Sequence, residues 1–186
     1  PAWEDSSGVA GKVEGTNFTD SIIVGHSTTG TLNAAQKNTA VGLDALQDIT
    51  SGDDNVVLGY QAGYDITSAG ANVAIGSLAL WTNTTSNGNI AIGKAALKLT
   101  TGANNIGIGV NAGDNITSGA GNVILGAIID ADSATGDRQL KIAGNDGSTT
   151  TTWIDGDSSG NLTMPAEIAA VSLDISGAID VDGTTN

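Results

Sequence analysis

The chain has 186 residues, 27 of them Gly, with aromatic residues at 3%, charged residues at 14% and a formal net charge of −14. Average usage would give roughly 13 Gly and about 25% charge, so the composition is neither that of a helical globular enzyme nor that of a disordered polyelectrolyte. A pI near 4.1 argues against nucleic acid and anionic membrane surfaces as partners, the absence of Cys removes disulfides and thiol metal sites, and apolar runs no longer than stretches like Ala127-Ile128-Ile129 cannot span a bilayer as a helix.

Residues 1–20 read as a lead-in. "PAWEDSSG" is no signal peptide, and a start without Met together with an ending inside a strand pattern leads us to expect a piece of something longer. From 21 to 129 the sequence repeats. Aligning the glycine that closes each apolar triplet gives Gly25, Gly42, Gly59, Gly76, Gly93, Gly109 and Gly126, spaced by 17 residues five times and by 16 once. A fixed period of this size marks a stacked array in which no unit buries its face alone. The fold class expected is all-β: seven coils of a parallel β-roll or β-solenoid, stacked at about 4.8 Å per coil.

Each glycine follows a short β-branched run such as Val56-Val57-Leu58 or Ile90-Ala91-Ile92. Strand side chains alternate, so the large outer pair is expected to fill the core and the small middle residue to face a close neighbour. Three residues past the glycine stand Ala45, Ala62, Ala79, Ala96 and Ala112, read as a second short strand or bend where only a methyl fits. Turn chemistry closes each unit, as in "ITSGDD" at 49–54 and "LTTGAN" at 99–104, with the leading Ile or Leu tucked inward. Asn83 interrupts that apolar position, and Trp81 is expected to supply the missing bulk. Asn38, Asn55, Asn72, Asn89, Asn105 and Asn122 precede the triplets, and stacking would let their amides bond in a ladder or cap the backbone.

Residues 130–165 lose the period and read as a β-meander with turns at Asn145-Asp146-Gly147 and 156–161. The stretch 166–186 alternates Val171, Leu173, Ile175, Ile179 and Val181 with polar residues. It reads as the start of a β-ribbon shaft too narrow to form its own core, which three chains around one axis would supply.

Motifs for chemistry are few. Asp155, Asp157 and Ser159 before Gly160 match the opening of a calcium loop, but position twelve is Ala166, so a hairpin turn is the plainer reading and no other metal site is expected. His26 is the sole histidine, so no catalytic triad has more than one candidate base. Sequons at Asn17, Asn83, Asn115 and Asn161 arise readily in so Asn- and Thr-rich a chain. Threonines in the turns would have to form a flat matched row to bind ice, and here the row is expected to be ragged. No cofactor is expected.

"NVAIG" at 72–76, "NIAIG" at 89–93 and "NNIGIG" at 104–109 resemble the repeats of trimeric autotransporter adhesin heads, which are left-handed parallel β-rolls assembled in threes, and the similar repeats of tailed-bacteriophage fibres. The likeness covers about residues 21–126 for both. Residues 155–186, with "DSSGNLTM" and "SGAIDVDGTTN", resemble the phage fibres alone, and adhesin units are typically shorter than this one. The resemblance implies an intertwined homotrimer with Ala40, Val57, Ala74, Ala91 and Gly107 toward the trimer axis or a neighbouring chain. It implies a non-enzymatic structural segment of a virion tail fibre that extends toward the host surface, with other tail proteins and a host glycan or protein receptor as partners. A bacterial surface adhesin head is the alternative. A polysaccharide depolymerase segment is a third reading, against which stand the absence of a recurring acidic pair and the scarcity of aromatics.

Overall fold

The computed structural model describes residues 2–4, 10–15, 18–25 and 32–165, and these form β-structure and turns without a helix. The expected shaft at 166–186, His26 and Asn17 lie outside the described residues. Strands β1 (Ala2–Glu4), β2 (Ala10–Gly15) and β3 (Phe18–Val24) pair antiparallel in succession. The two-residue β4 (Ala35–Gln36) lies parallel to the start of β3. Then come the triplets as strands: β5 (Thr39–Val41), β6 (Val56–Leu58), β7 (Val73–Ile75), β8 (Ile90–Ile92), β9 (Ile106–Ile108) and β10 (Val123–Leu125). They stack parallel and in register between β3 and β11 (Leu140–Asn145), so that Val57 stands over Ala40 and under Ala74. Strands β12 (Thr150–Gly156) and β13 (Leu162–Thr163) continue the sheet antiparallel from β11. The array is a parallel β-solenoid of about seven turns.

The corner glycines make that stacking possible. Gly59 sits at φ 135°, and a Cβ there would stand 2.7 Å from the carbonyl of Gly76 in the next coil; at Gly76 it would stand 2.5 Å from that of Gly93. Both the left-handed backbone and the lack of a side chain are needed, because adjacent coils touch backbone to backbone at this corner.

Beyond the corner the second wall is not a strand. It alternates into left-handed backbone at the second and fourth residue after the glycines from Gly42 to Gly109, for example Asp44 and Leu46, Gln61 and Gly63, Leu78 and Leu80, Ala95 and Leu97. This turns successive N–H groups toward different neighbours: Gln61 donates back to Leu43 O (2.9 Å), while Gly63 donates forward to Ala79 O (2.9 Å). Non-Gly residues in this conformation cost about 1–2 kcal/mol each, and the bonds between coils offset that cost.

The facing of the triplets is the reverse of the expectation from size. Ala40, Val57, Ala74, Ala91 and Ile124 have no exposed surface and Gly107 is buried with them, whereas the outer residues Ile22, Val41, Val56, Leu58 and Ile108 are exposed. The opposite wall lies close, with Ala45, Ala62, Ala79, Ala96 and Ala112 buried against it, so the interior has room only for small or single large groups. Volumes are traded between coils. A Cβ on Gly107 would stand 2.7 Å from Leu97 Cγ, and one on Gly113 3.1 Å from Leu97 Cδ2 and 3.2 Å from Ile124 Cγ1. Leu97 and Ile124 thus fill the space that Gly107 and Gly113 leave in the coil between them.

Two further details differ from the sequence reading. Ile49, Ile66 and Ile116 are buried as expected, but in "LTTGAN" it is Thr100 that points inward while Leu99 is exposed. The missing residue of the 16-residue unit falls after Thr100, in the turn, so aligning the turns misplaces the inward position by one. Asn83 is itself buried and satisfied, its Nδ2 donating to Ser86 O (2.7 Å) and its Oδ1 accepting from Ser86 N (3.0 Å). Trp81 instead lies half-buried on the outside, beside Tyr64 (centroids 6.2 Å apart) and under Lys98 (5.5 Å).

Candidate functional site

Inside the stack, the six asparagines form a continuous ladder with no exposed surface. Asn55 is a typical rung. Its backbone N–H and its Nδ2 both donate to Asn38 Oδ1 (3.1 and 2.9 Å), and Nδ2 also donates to Ala69 O (2.9 Å), closing its own coil. Asn72, Asn89, Asn105 and Asn122 repeat the backbone-to-amide bond at 2.9–3.1 Å. The sequence reading missed both ends: Ser21 Oγ accepts from Asn38 N (2.8 Å), and Gln139 N donates to Asn122 Oδ1 (2.8 Å). Counting one period out from Asn38 and Asn122 would have found them. The turn threonines are also in register rather than ragged, and their hydroxyls are spent on the stack: Thr50 Oγ1 donates to Thr67 O and Thr67 Oγ1 to Thr84 O, each at 3.0 Å.

The calcium-like residues are not brought together. Asp155 Oδ2 lies 3.4 Å from Lys141 Nζ. Asp157 instead folds onto its own turn, accepting from Ser159 N (2.8 Å), Asn161 N (3.0 Å) and Asn161 Nδ2 (2.7 Å), and these bonds, led by the Asn161 side chain, hold its carboxyl below the usual range. Among the described residues, no three His, Cys, Asp or Glu side chains are placed to share a metal ion.

Compared with protein-family models, with curated proteins and with solved structures, the chain matches none. The candidate site therefore rests on geometry alone, and the geometry points outward. Two rows run along the solvent side of the parallel sheet. One is Ile22, Thr39, Val56, Val73, Ile90, Ile106, Val123 and Leu140; the other is Val24, Val41, Leu58, Ile75, Ile92, Ile108, Leu125 and Ile142. Fifteen of these sixteen positions are apolar and none is charged, on a chain with 20 acidic residues. At ~4.8 Å per strand the rows extend for roughly 34 Å. Leu43, Tyr60 and Val110 are exposed one residue past the corner beside them. The sheet pairing carries the face onward, since Ile142 is opposite Ile154 and Gly156 opposite Leu162. Contiguous exposed apolar patches larger than a few hundred Å² are rare on monomeric proteins and commonly serve as interaction surfaces.

Carboxylates lie beyond the second wall, at Asp48, Asp65, Asp114 and Asp130. Burial, then the charge of Asp48, raises the pKa of Asp65; burial, then Asp130, which shares a hydrogen bond with it, raises that of Asp114.

Proposed function

We propose that this chain is a structural segment of a fibre, a stiff spacer that extends from a virion toward a host cell surface and takes part in attachment, assembled as a homotrimer. The observation that carries the reading is the uncharged apolar strip along the outside of an in-register coil stack. Stacked coils supply length and stiffness from repeated units, and three copies placed with their strips around one axis would cover what a single chain leaves bare. In that arrangement the axial contacts are made by the outer triplet residues, such as Ile75 and Ile92, and not by Ala40, Val57, Ala74, Ala91 and Gly107, which are sealed inside each coil. The role is non-catalytic and needs no cofactor. Immunogold labelling with antibodies against residues 21–129 tests it. Label along the tail fibres of phage particles is the expected result. Label on a bacterial envelope, with none on particles, would replace the virion by a surface adhesin, and label on neither would end the attachment reading.

A further inference from the structure

Three columns of the stack end within the same five residues. The asparagine ladder ends at Gln139. Its N–H and Nε2 take Asn122 Oδ1 as any rung would (2.8 and 3.1 Å), but its Oε1, the atom that would accept the next rung, is turned back to accept from Ser133 N (2.8 Å). The core column of Ile23, Ala40, Val57, Ala74, Ala91, Gly107 and Ile124 ends at Lys141, paired with Ile124 in register. Its ammonium is held by Asp132 and by Asp155 of β12. The column of corner glycines ends at Ala143, one period after Gly126. At each preceding corner the glycine lies at positive φ and a Cβ would collide with the carbonyl of the following coil. Ala143 is not in that backbone conformation and its methyl is buried in the core, so the open glycine corner on which another coil would rest is not formed there. Antiparallel β12 then occupies the free edge of β11, beside an open cleft of about 230 Å³ lined by Ile129, Lys141 and Thr152 among others.

We infer that Gln139, Lys141 and Ala143 together form a stop signal that closes the stack to any further coil. Array length is then set by where this signal falls, and not by the supply of repeats. Each residue blocks by a different physical means: a used acceptor, a charge where an apolar group must be buried, and a corner without the left-handed glycine backbone that backbone-to-backbone stacking needs. The inference is independent of the fibre reading.

Insertion of one extra coil into the full chain tests it. A copy of residues 110–126 placed directly after Gly126 should join the stack and resist protease and hydrogen exchange like its neighbours. The same 17 residues placed after Ala143 should loop out, be cut by protease and exchange at least about 100-fold faster, while β12 stays paired with β11. In the chain carrying Gln139→Asn, Lys141→Val and Ala143→Gly, the downstream copy should regain protection. Equal protection of the downstream copy without the substitutions would overturn the inference. So would continued exposure with them, since the block would then lie elsewhere. If the downstream chain fails to fold, recovery of its β-type circular dichroism by the three substitutions supports the signal, and failure to recover counts against it.

Discussion

At the scale of single residues, the buried amides carry an obligation that exposed ones do not. Asn72 Oδ1 accepts from Asn89 N at 2.9 Å, and Asn72 Nδ2 donates to Asn55 Oδ1 at 3.1 Å, all without exposed surface. Asn72→Ala leaves the Asn89 N–H buried and unpaired, so we expect a loss of about 2–4 kcal/mol in urea unfolding. Asn87→Ala removes an acceptor from Gly70 N at an exposed turn and should cost less than about 1 kcal/mol. Charge acts the other way at Asp114. Because burial and Asp130 raise its folded pKa above the ordinary 3.8, its contribution is fully present below the unfolded pKa and is lost as pH rises through the folded one. Asp65 behaves alike. Melting temperature should therefore fall as pH rises from about 4 towards neutrality. Asp114→Asn should flatten that slope and stabilise the neutral form by less than about 1 kcal/mol, since the group is largely solvent-screened.

At the scale of the element, the second wall of each coil is strained where it is not glycine. Gln61 has φ 51°, and replacing it by Gly relieves about 1–2 kcal/mol of left-handed strain against an entropic cost of about 0.5–1 kcal/mol. A small net gain in midpoint is expected from denaturant titration, and a loss would show that the strain is absent. This wall was not legible in the sequence, because Leu46, Leu78, Leu80 and Leu97 are residues that rarely adopt such backbone and carry no local signal for it. The stack itself was legible, because a repeat of 17 residues admits few alternatives to coils in register. The facing of the triplets was recoverable but misread. Asn38 and Ala40 are two residues apart in an extended segment and therefore share a face, so asparagines buried in a ladder require buried middle residues. Ranking the triplet by side-chain size ignored that parity. It also ignored how close the alanine wall stands.

At the scale of the whole molecule, the same inversion relocates the candidate interface. With the small residues inside, the large β-branched ones become a strip along the outside of the sheet from β3 to β11, the surface that the proposed trimer would share. The strip's position could not be read from the sequence without the parity argument. Mass in solution tests the central claim most directly, measured by light scattering on the wild-type chain and on Ile75→Lys/Ile92→Lys. The wild type is expected at three times the 18.3 kDa chain mass, and the variant as a monomer with unchanged β-type circular dichroism, since both side chains point out of the coil. A wild-type chain that runs as a monomer at every concentration would contradict the account.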